Sequence, residues 1–288
     1  MADIQNWYVK CIRKLLRFQG GNEIMNHHRI WQRANRYSLA LVIISLILFG
    51  LVTCSASQNL GNALRGTQAL ASAYTIPAFS ATNLDDNASQ WGIFYDGGTA
   101  KATKTNVSKP SVDGTALKAS LLSGQPYVGI HVYRNLPPAD AATSFELSLS
   151  FRFPNATPIQ ALEFTMNTWV NNQRWEWALQ WENIGGGSPP PWRLWTGSAW
   201  QPIGVTQQLS VNKWHRLHLK GNISHGQVHY ISFSCDSLSV QLGQTFAPVS
   251  SQGDKLAVAV QLDGDAHEDP YQVYIDRVDF SWKSMTPG

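Results

Sequence analysis

Apolar and polar residues alternate in short runs along most of the chain. Residues 144–153 (SFELSLSFRF) place Phe145, Leu147, Leu149, Phe151 and Phe153 on one side of an extended strand. Residues 255–262 do the same with Leu256, Val258, Val260 and Leu262, and residues 214–220 and 227–234 keep the same period of two. Clusters of Gly, Pro, Asn and Asp separate the runs, and beyond Ser57 no eleven-residue window keeps a helical period. The pattern predicts around a dozen strands with short turns, an all-β, two-sheet antiparallel β-sandwich of the jelly-roll kind. No internal repeat or second linker interrupts it, so residues 75–288 read as one domain.

Within that domain the stretch 161–200 holds seven of the twelve Trp. Taken as strands, residues 163–169 and 174–182 divide cleanly between two faces. Trp175, Trp177, Leu179 and Trp181 share one side of the second strand; Arg174, Glu176, Ala178, Gln180 and Glu182 share the other. Asn171 and Asn172 make a two-residue hairpin turn, because Asn tolerates positive φ. That turn pairs Trp169 with Arg174, Asn167 with Glu176, Thr165 with Ala178 and Glu163 with Gln180. One face is then aromatic and belongs in the core. The other carries carboxylates, amides, Arg174 and Trp169.

A different pattern precedes the domain. Residues 39–54 (LALVIISLILFGLVTC) are sixteen residues without a charge. As a helix they span roughly 24 Å, slightly less than a hydrocarbon core of about 30 Å. Arg29, Arg33 and Arg36 precede the run and no basic cluster follows it, which places the N-terminus in the cytoplasm and the domain outside. The organisation expected is a basic cytoplasmic tail (1–37), a transmembrane or signal-anchor helix (38–56), a small-residue linker (57–74) and the extracytoplasmic sandwich (75–288). Free secretion, or a lipid on Cys54 after a lipobox-like Leu51-Val52-Thr53, is the alternative. A start at Met25 would leave an ordinary signal n-region.

Charge follows this division. Residues 1–37 carry seven Lys and Arg against two acids, whereas the remainder carries fifteen against seventeen. The basicity belongs to the tail, and nothing on the main domain points to nucleic acid. Of three Cys, only Cys235 lies in the domain, so no disulfide framework is available there and a buried thiol is expected. Four N-x-S/T sequons, at Asn87, Asn106, Asn155 and Asn222, are expected in surface turns.

Further along, Trp214-His215-Arg216-Leu217-His218-Leu219 is followed by Gly226-Gln227-Val228-His229-Tyr230, then Phe233 and Asp236. This resembles the concanavalin A-like lectin/glucanase superfamily, including laminin G-like domains. Val273-Tyr274-Ile275-Asp276-Arg277-Val278-Asp279-Phe280 resembles the closing YIDxVxF strand of many jelly-roll carbohydrate-binding modules. The resemblance runs over about residues 75–282. It implies a two-sheet jelly roll that commonly binds glycans and sometimes cleaves them. The E-x-D-x-E strand motif of one large glucanase family is absent.

Chemistry narrows the expectation. Sugar rings stack on indole, and their hydroxyls need a few placed amides and carboxylates. Trp169 is the leading stacking residue, with Trp195 and Trp200 behind it. Glu163, Asn167, Glu176, Gln180 and Arg193 are the polar contacts. A glycosidase needs two carboxyls about 5–5.5 Å or about 6.5–9.5 Å apart. Glu163 and Glu176 are offset by roughly 13 Å along the strands. Glu163 and Glu182 lie on a diagonal, roughly 7–8 Å apart, and would be the acid and base of an enzyme. Asp263, Asp265, Glu268 and Asp269, with Asp276 beyond them, offer hard oxygens around a Gly turn, as calcium requires; structural calcium is common in the resembled folds, and no other cofactor is expected. His215 and His218, three apart on a strand, face opposite ways and cannot share a zinc ion.

The sequence therefore points to a membrane-tethered, extracytoplasmic, non-catalytic carbohydrate-binding domain, with a glycan and the membrane as partners. A polysaccharide-cleaving enzyme on the same scaffold, or a structural and adhesive surface module, is the alternative.

Overall fold

The computed structural model describes residues 78–96, 99–253, 255–267 and 269–284. The expected tail, membrane helix and linker lie outside these residues. Among the described residues no helix is long and apolar enough to cross a membrane.

The chain enters through β1 (Ala78–Ala81), two short 3-10 turns, β2 (Trp91–Asp96), β3 (Ala100–Val107), β4 (Ala116–Gly124) and β5 (Gly129–Leu136). Then come β6 (Ser144–Arg152), β7 (Ile159–Val170), β8 (Gln173–Glu182), β9 (Pro191–Trp195), β10 (Trp200–Thr206), β11 (His215–Ser224) and β12 (Gln227–Cys235). Three short strands follow, β13 (Leu238–Gln241), β14 (Thr245–Phe246) and β15 (Val249–Ser250), before the long β16 (Leu256–Gly264) and β17 (Tyr271–Lys283). The short strands are too brief to show a period, which is why the alternation pattern foresees fewer.

These strands form two antiparallel sheets. The nine-stranded sheet runs β13-β12-β11-β6-β17-β4-β3, with β1 on β17 and β14 on β12. The eight-stranded sheet runs β10-β9-β8-β7-β16-β5-β2, with β15 on β8. This is the sandwich that the alternation and the superfamily resemblance both implied.

The alternation explains the core. Phe145, Leu147, Leu149, Phe151 and Phe153 are all buried, as are Leu256, Val258, Val260 and Leu262. Trp177, Trp181 and Trp192 are fully buried between the sheets. Rings interlock across the interface: Phe151 with Phe164 at 4.7 Å, Phe145 with Trp177 at 4.8 Å and Trp192 with Phe233 at 5.1 Å. Removing one large apolar side chain from water contributes about 1.5–3 kcal/mol, so this layer can hold the sandwich without a disulfide. Cys235 is a buried free thiol whose pKa is pushed up by burial.

Polar atoms of the core aromatics find partners, as burial requires. Trp177 Nε1 donates to the His229 carbonyl at 3.0 Å and Trp181 Nε1 to the Gln207 carbonyl at 2.9 Å. The Tyr230 hydroxyl donates to the Trp195 carbonyl at 2.8 Å and accepts from the Ala178 N–H at 2.9 Å. Both β8 and β9 are thereby tied to β12.

His215 and His218 do face opposite ways. His215 is buried against Asp236 and the Ser210 carbonyl, while His218 meets Glu146 on the outer side of its sheet. The sequons differ from expectation. Asn106 sits in β3 and Asn222 in β11 rather than in turns. Asn106 accepts from the Ala88 N–H and donates to the Asp85 carbonyl, and Asn222 bonds to His229. Their amides are used inside the fold.

Candidate functional site

The β7–β8 hairpin has the register expected from its turn. Trp169 opposes Arg174, Asn167 opposes Glu176, Thr165 opposes Ala178 and Glu163 opposes Gln180. Asn171 and Asn172 take φ of 53° and 58°. Trp175, Trp177 and Trp181 point into the core, so Glu163, Asn167, Glu176, Gln180 and Glu182 all lie on the outward face of the eight-stranded sheet.

Neighbouring strands extend that face, with Arg193 as expected and with Phe94, His131, Tyr133 and Gln261, which the sequence left unassigned. Gln261 of β16 opposes Glu163 on one side and His131 of β5 on the other; Phe94 of β2 opposes His131 in turn. Across β8, Arg193 opposes Gln180. One row therefore reads Phe94, His131, Gln261, Glu163, Gln180, Arg193. The adjacent row reads Gly92, Tyr133, Ala259, Thr165, Ala178. The missed residues did leave a signal: in 129–136, Ile130, Val132 and Leu136 alternate with His131, Tyr133 and Asn135.

Outward residues on a sheet are ordinarily exposed, yet Glu163, Thr165, Gln180 and Gln261 are each only 5–7% exposed. Small side chains, Ala257, Ala259, Ala178 and Thr165, floor the middle of the face, and taller groups stand at its sides. Phe94, 58% exposed, lies 5.7 Å from the His131 ring at one side. Tyr133 lies over Gly92, where any side chain would collide with its ring. Trp195 and Trp200 oppose each other on β9 and β10, with ring centroids 5.3 Å apart, at the other side. Trp169 is half-buried at the end of β7. Its Nε1 donates to Ser251 Oγ at 3.2 Å and its ring covers Gly253.

Electrostatics of the face follow from burial. Glu163 accepts a bond from Gln180 Nε2 at 2.9 Å and shares a hydrogen bond with Asp263. Burial first, and the Asp263 charge second, raise the Glu163 pKa far above the carboxylate range, so the two buried acids share a proton. Asp263 is raised as well, chiefly by burial, while Gln261 Nε2 donates to it at 2.7 Å. Glu176 is raised by burial, against the pull of Arg174, whose guanidinium lies 3.1 Å away. Glu182 pairs with Arg193. Asp96 lies 3.7 Å from His131 Nε2, and that partner lowers its pKa. Two atoms on the face are buried without a partner, Asn167 Oδ1 and Gln180 Oε1, while the Trp195 indole lies against the Glu176 carboxyl.

The expected catalytic diagonal divides chemically. Glu182 opposes Ala161 and is held by Arg193, while Glu163 is turned toward Gln180 and Asp263. Glu163 and Glu176 stand four residues apart along the hairpin, as expected.

The acidic cluster proposed for calcium is partly strand. Asp263 lies within β16, bonded as described, and Asp265 Oδ1 accepts from the His267 N–H at 2.8 Å. Asp269 is exposed and Glu268 lies outside the described residues. Asp276 stands elsewhere, accepting from Ser111 Oγ and the Val112 N–H. Among the described residues no three His, Cys, Asp or Glu side chains form a metal-binding group. Asp85 and Asp276 are nevertheless fully buried, and each has one oxygen without a partner. Burial is the main cause raising both, and the Asp276 charge contributes at Asp85. The Arg134 charge offsets part of the repulsion at Asp85.

A separate groove of about 540 Å³ lies away from this face, lined by Phe79, Phe145, Glu146 and Trp282 at the β1–β17–β6 side of the other sheet. It has none of the recessed amides and carboxyls described above.

No protein-family model matches the chain, and no curated protein matches it in sequence. Solved structures are similar to it in fold. An endo-β-1,4-glucuronan lyase from the fungus Trichoderma reesei is 15% identical over 69% of this chain and 94% of that one, with a TM-score of 0.44. A seed lectin of Lotus tetragonolobus is 11% identical over 72% of this chain and 100% of its own, with a TM-score of 0.47. A family 11 carbohydrate-binding module from Clostridium thermocellum is 12% identical over 69% and 94%, with a TM-score of 0.34. Likenesses this distant carry no argument about a ligand, which has to come from the chemistry of the face.

Proposed function

We propose that the outward face of the eight-stranded sheet binds a glycan. The observation that supports this most is the recessed row of amides and carboxyls, with Asn167 Oδ1 and Gln180 Oε1 unpartnered, set between aromatic flanks. Buried polar atoms without partners cost about 1–3 kcal/mol each, and sugar hydroxyls supply both donors and acceptors. Trp195 and Trp200 stack a ring at one side, Phe94 and Tyr133 at the other, and Trp169 contributes from the end of β7. A glycan array with the full chain, run beside Gln180→Ala and Trp195→Ala, tests the reading. Binding that each variant weakens about tenfold or more supports it; no binding, or binding indifferent to both, counts against it.

Residues 39–54 would tether this face outside the cell, with the membrane as the second partner. Protease protection of intact cells or spheroplasts tests that placement. Cleavage of the domain by external protease is the expected result, and protection would contradict it.

One observation favours cleavage as a second reading. Glu163, buried and hydrogen-bonded to Gln180 and Asp263, shares a proton with Asp263 as a general-acid pair would. Release of new chain ends from a bound polysaccharide, lost in Glu163→Gln while binding persists, would establish an enzyme. Retention of the polymer intact keeps the face a binding site. For calcium, the better-fitting donors are Asp85 and Asp276. They would hold it together with backbone carbonyls and water, and it would neutralise two buried charges.

A further inference from the structure

The charge of the face limits which glycan can enter it. On its paired strands Asp96, Glu163, Glu176, Glu182 and Asp263 stand against Arg174, Arg193 and His131, and exposed Lys255 lies just before β16, beside Trp169. Each arginine already has a carboxylate of the same face: Arg174 with Glu176 and Arg193 with Glu182. Neither is left as a free cation for an anionic substituent. Asp263 is hydrogen-bonded to Gln261 and Glu163, with the His131 charge acting on it, and Asp96 lies against His131, with Arg174 acting on it more weakly. The acidic side of the face is therefore the His131–Gln261–Glu163 side, next to the floor of small residues. Gln180, 7% exposed and with Oε1 unpartnered, points a hydrogen-bond acceptor into the same row. An acceptor of that kind suits a hydroxyl, an amide N–H or an amine, and does not suit a carboxylate.

We propose that this face takes uncharged or amine-bearing glycan chains and rejects polyuronates. The inference rests on the glycan-binding reading above and adds the class of ligand. A polyuronate places one carboxylate on every sugar. A ring lying over the His131–Gln261–Glu163 part of the row would come within a Debye length, about 10 Å at 0.1 M salt, of Asp263 or Asp96. Both arginines of the face are already engaged by its carboxylates. An amine at the same place gains from both acids. Sharing of a proton between Glu163 and Asp263 does not change the sign, since Asp96 stays ionised and both arginines stay paired.

The test is direct binding of the full chain to size-matched oligosaccharides of three kinds: a neutral β-glucan, a chitosan and a polyuronate. Each is titrated at about 20 mM and about 500 mM salt. Expected is binding of the neutral or the amine-bearing chain, with the polyuronate at least about tenfold weaker at low salt and the gap shrinking at high salt. Asp96→Asn, whose side chain is largely exposed and so leaves folding intact, should narrow the gap several-fold without weakening the neutral chain. Tighter binding of the polyuronate would overturn the inference while leaving the glycan-binding reading in place. Absence of binding to all three, and to every glycan of the array, would overturn both. A gap unaltered by both salt and Asp96→Asn would overturn the electrostatic cause.

Discussion

Glu163 shows how one residue sets the character of the face. Its carboxyl is buried beside Asp263, and its pKa is raised. A carboxyl with a raised folded pKa binds its proton more tightly in the folded state than in the unfolded one. Its contribution therefore disfavours folding as pH rises above the ordinary carboxylate range and on through neutrality. Thermal unfolding followed from pH 5 to pH 9 should show the melting temperature falling with pH. In Glu163→Gln, which keeps both hydrogen-bonding ends without a titrating proton, the fall should be smaller. An equally steep fall in the variant would place the cause elsewhere. The role of Glu163 as a face residue was legible from alternation alone. Its partner Asp263 was not, because Asp263-Gly264-Asp265 reads locally as an acidic turn while β16 in fact continues to Gly264 with a bulge.

At the scale of elements, the β7–β8 hairpin was readable to the residue because two Asn between two alternating runs leave one loop length. Both carry positive φ, and a β-branched residue resists it. Asn171→Val should cost about 1–2 kcal/mol in chemical denaturation, whereas Asn172→Gly should be close to neutral. Equal effects of the two would deny the turn its role. Contacts between strands distant in sequence were less readable. β7 is flanked by β16, and β16 by β5, so His131, Tyr133 and Gln261 reach the face through pairings that no local pattern announces. Gly221 is of the same kind. It lies at a register shift in β11, against the indole of Trp177 on the opposite sheet. Gly221→Ala should destabilise by about 1–3 kcal/mol through overpacking. Trp177→Ala should cost about 3–5 kcal/mol through the cavity it leaves. In the double variant the two costs should fall short of their sum, because the added methyl then faces empty space.

For the whole molecule, period-two patterning sufficed to foresee two sheets with an aromatic core. It could not give strand order, because order depends on which apolar faces meet in space. The chain ends of the sandwich are joined by acids. The Asp85 carboxylate accepts from the Val278 N–H at 2.8 Å, and Asp276 holds the 111–112 loop. If calcium neutralises this pair, adding it after chelation should raise the melting temperature, and Asp276→Asn should abolish the rise. An unchanged melting temperature in the wild-type chain would exclude the site.

Glycan binding at one face of one sheet is tested most directly by locating the ligand on the protein. Amide hydrogen exchange of the full chain, with and without the best-binding oligosaccharide of the array, gives that location. Protection is expected to concentrate in β5, β7, β8, β9 and β16, with none at the Phe79–Trp282 groove. Protection confined to that groove, or to β11, β12 and β17, with the Glu163–Gln180 row unchanged, would contradict it.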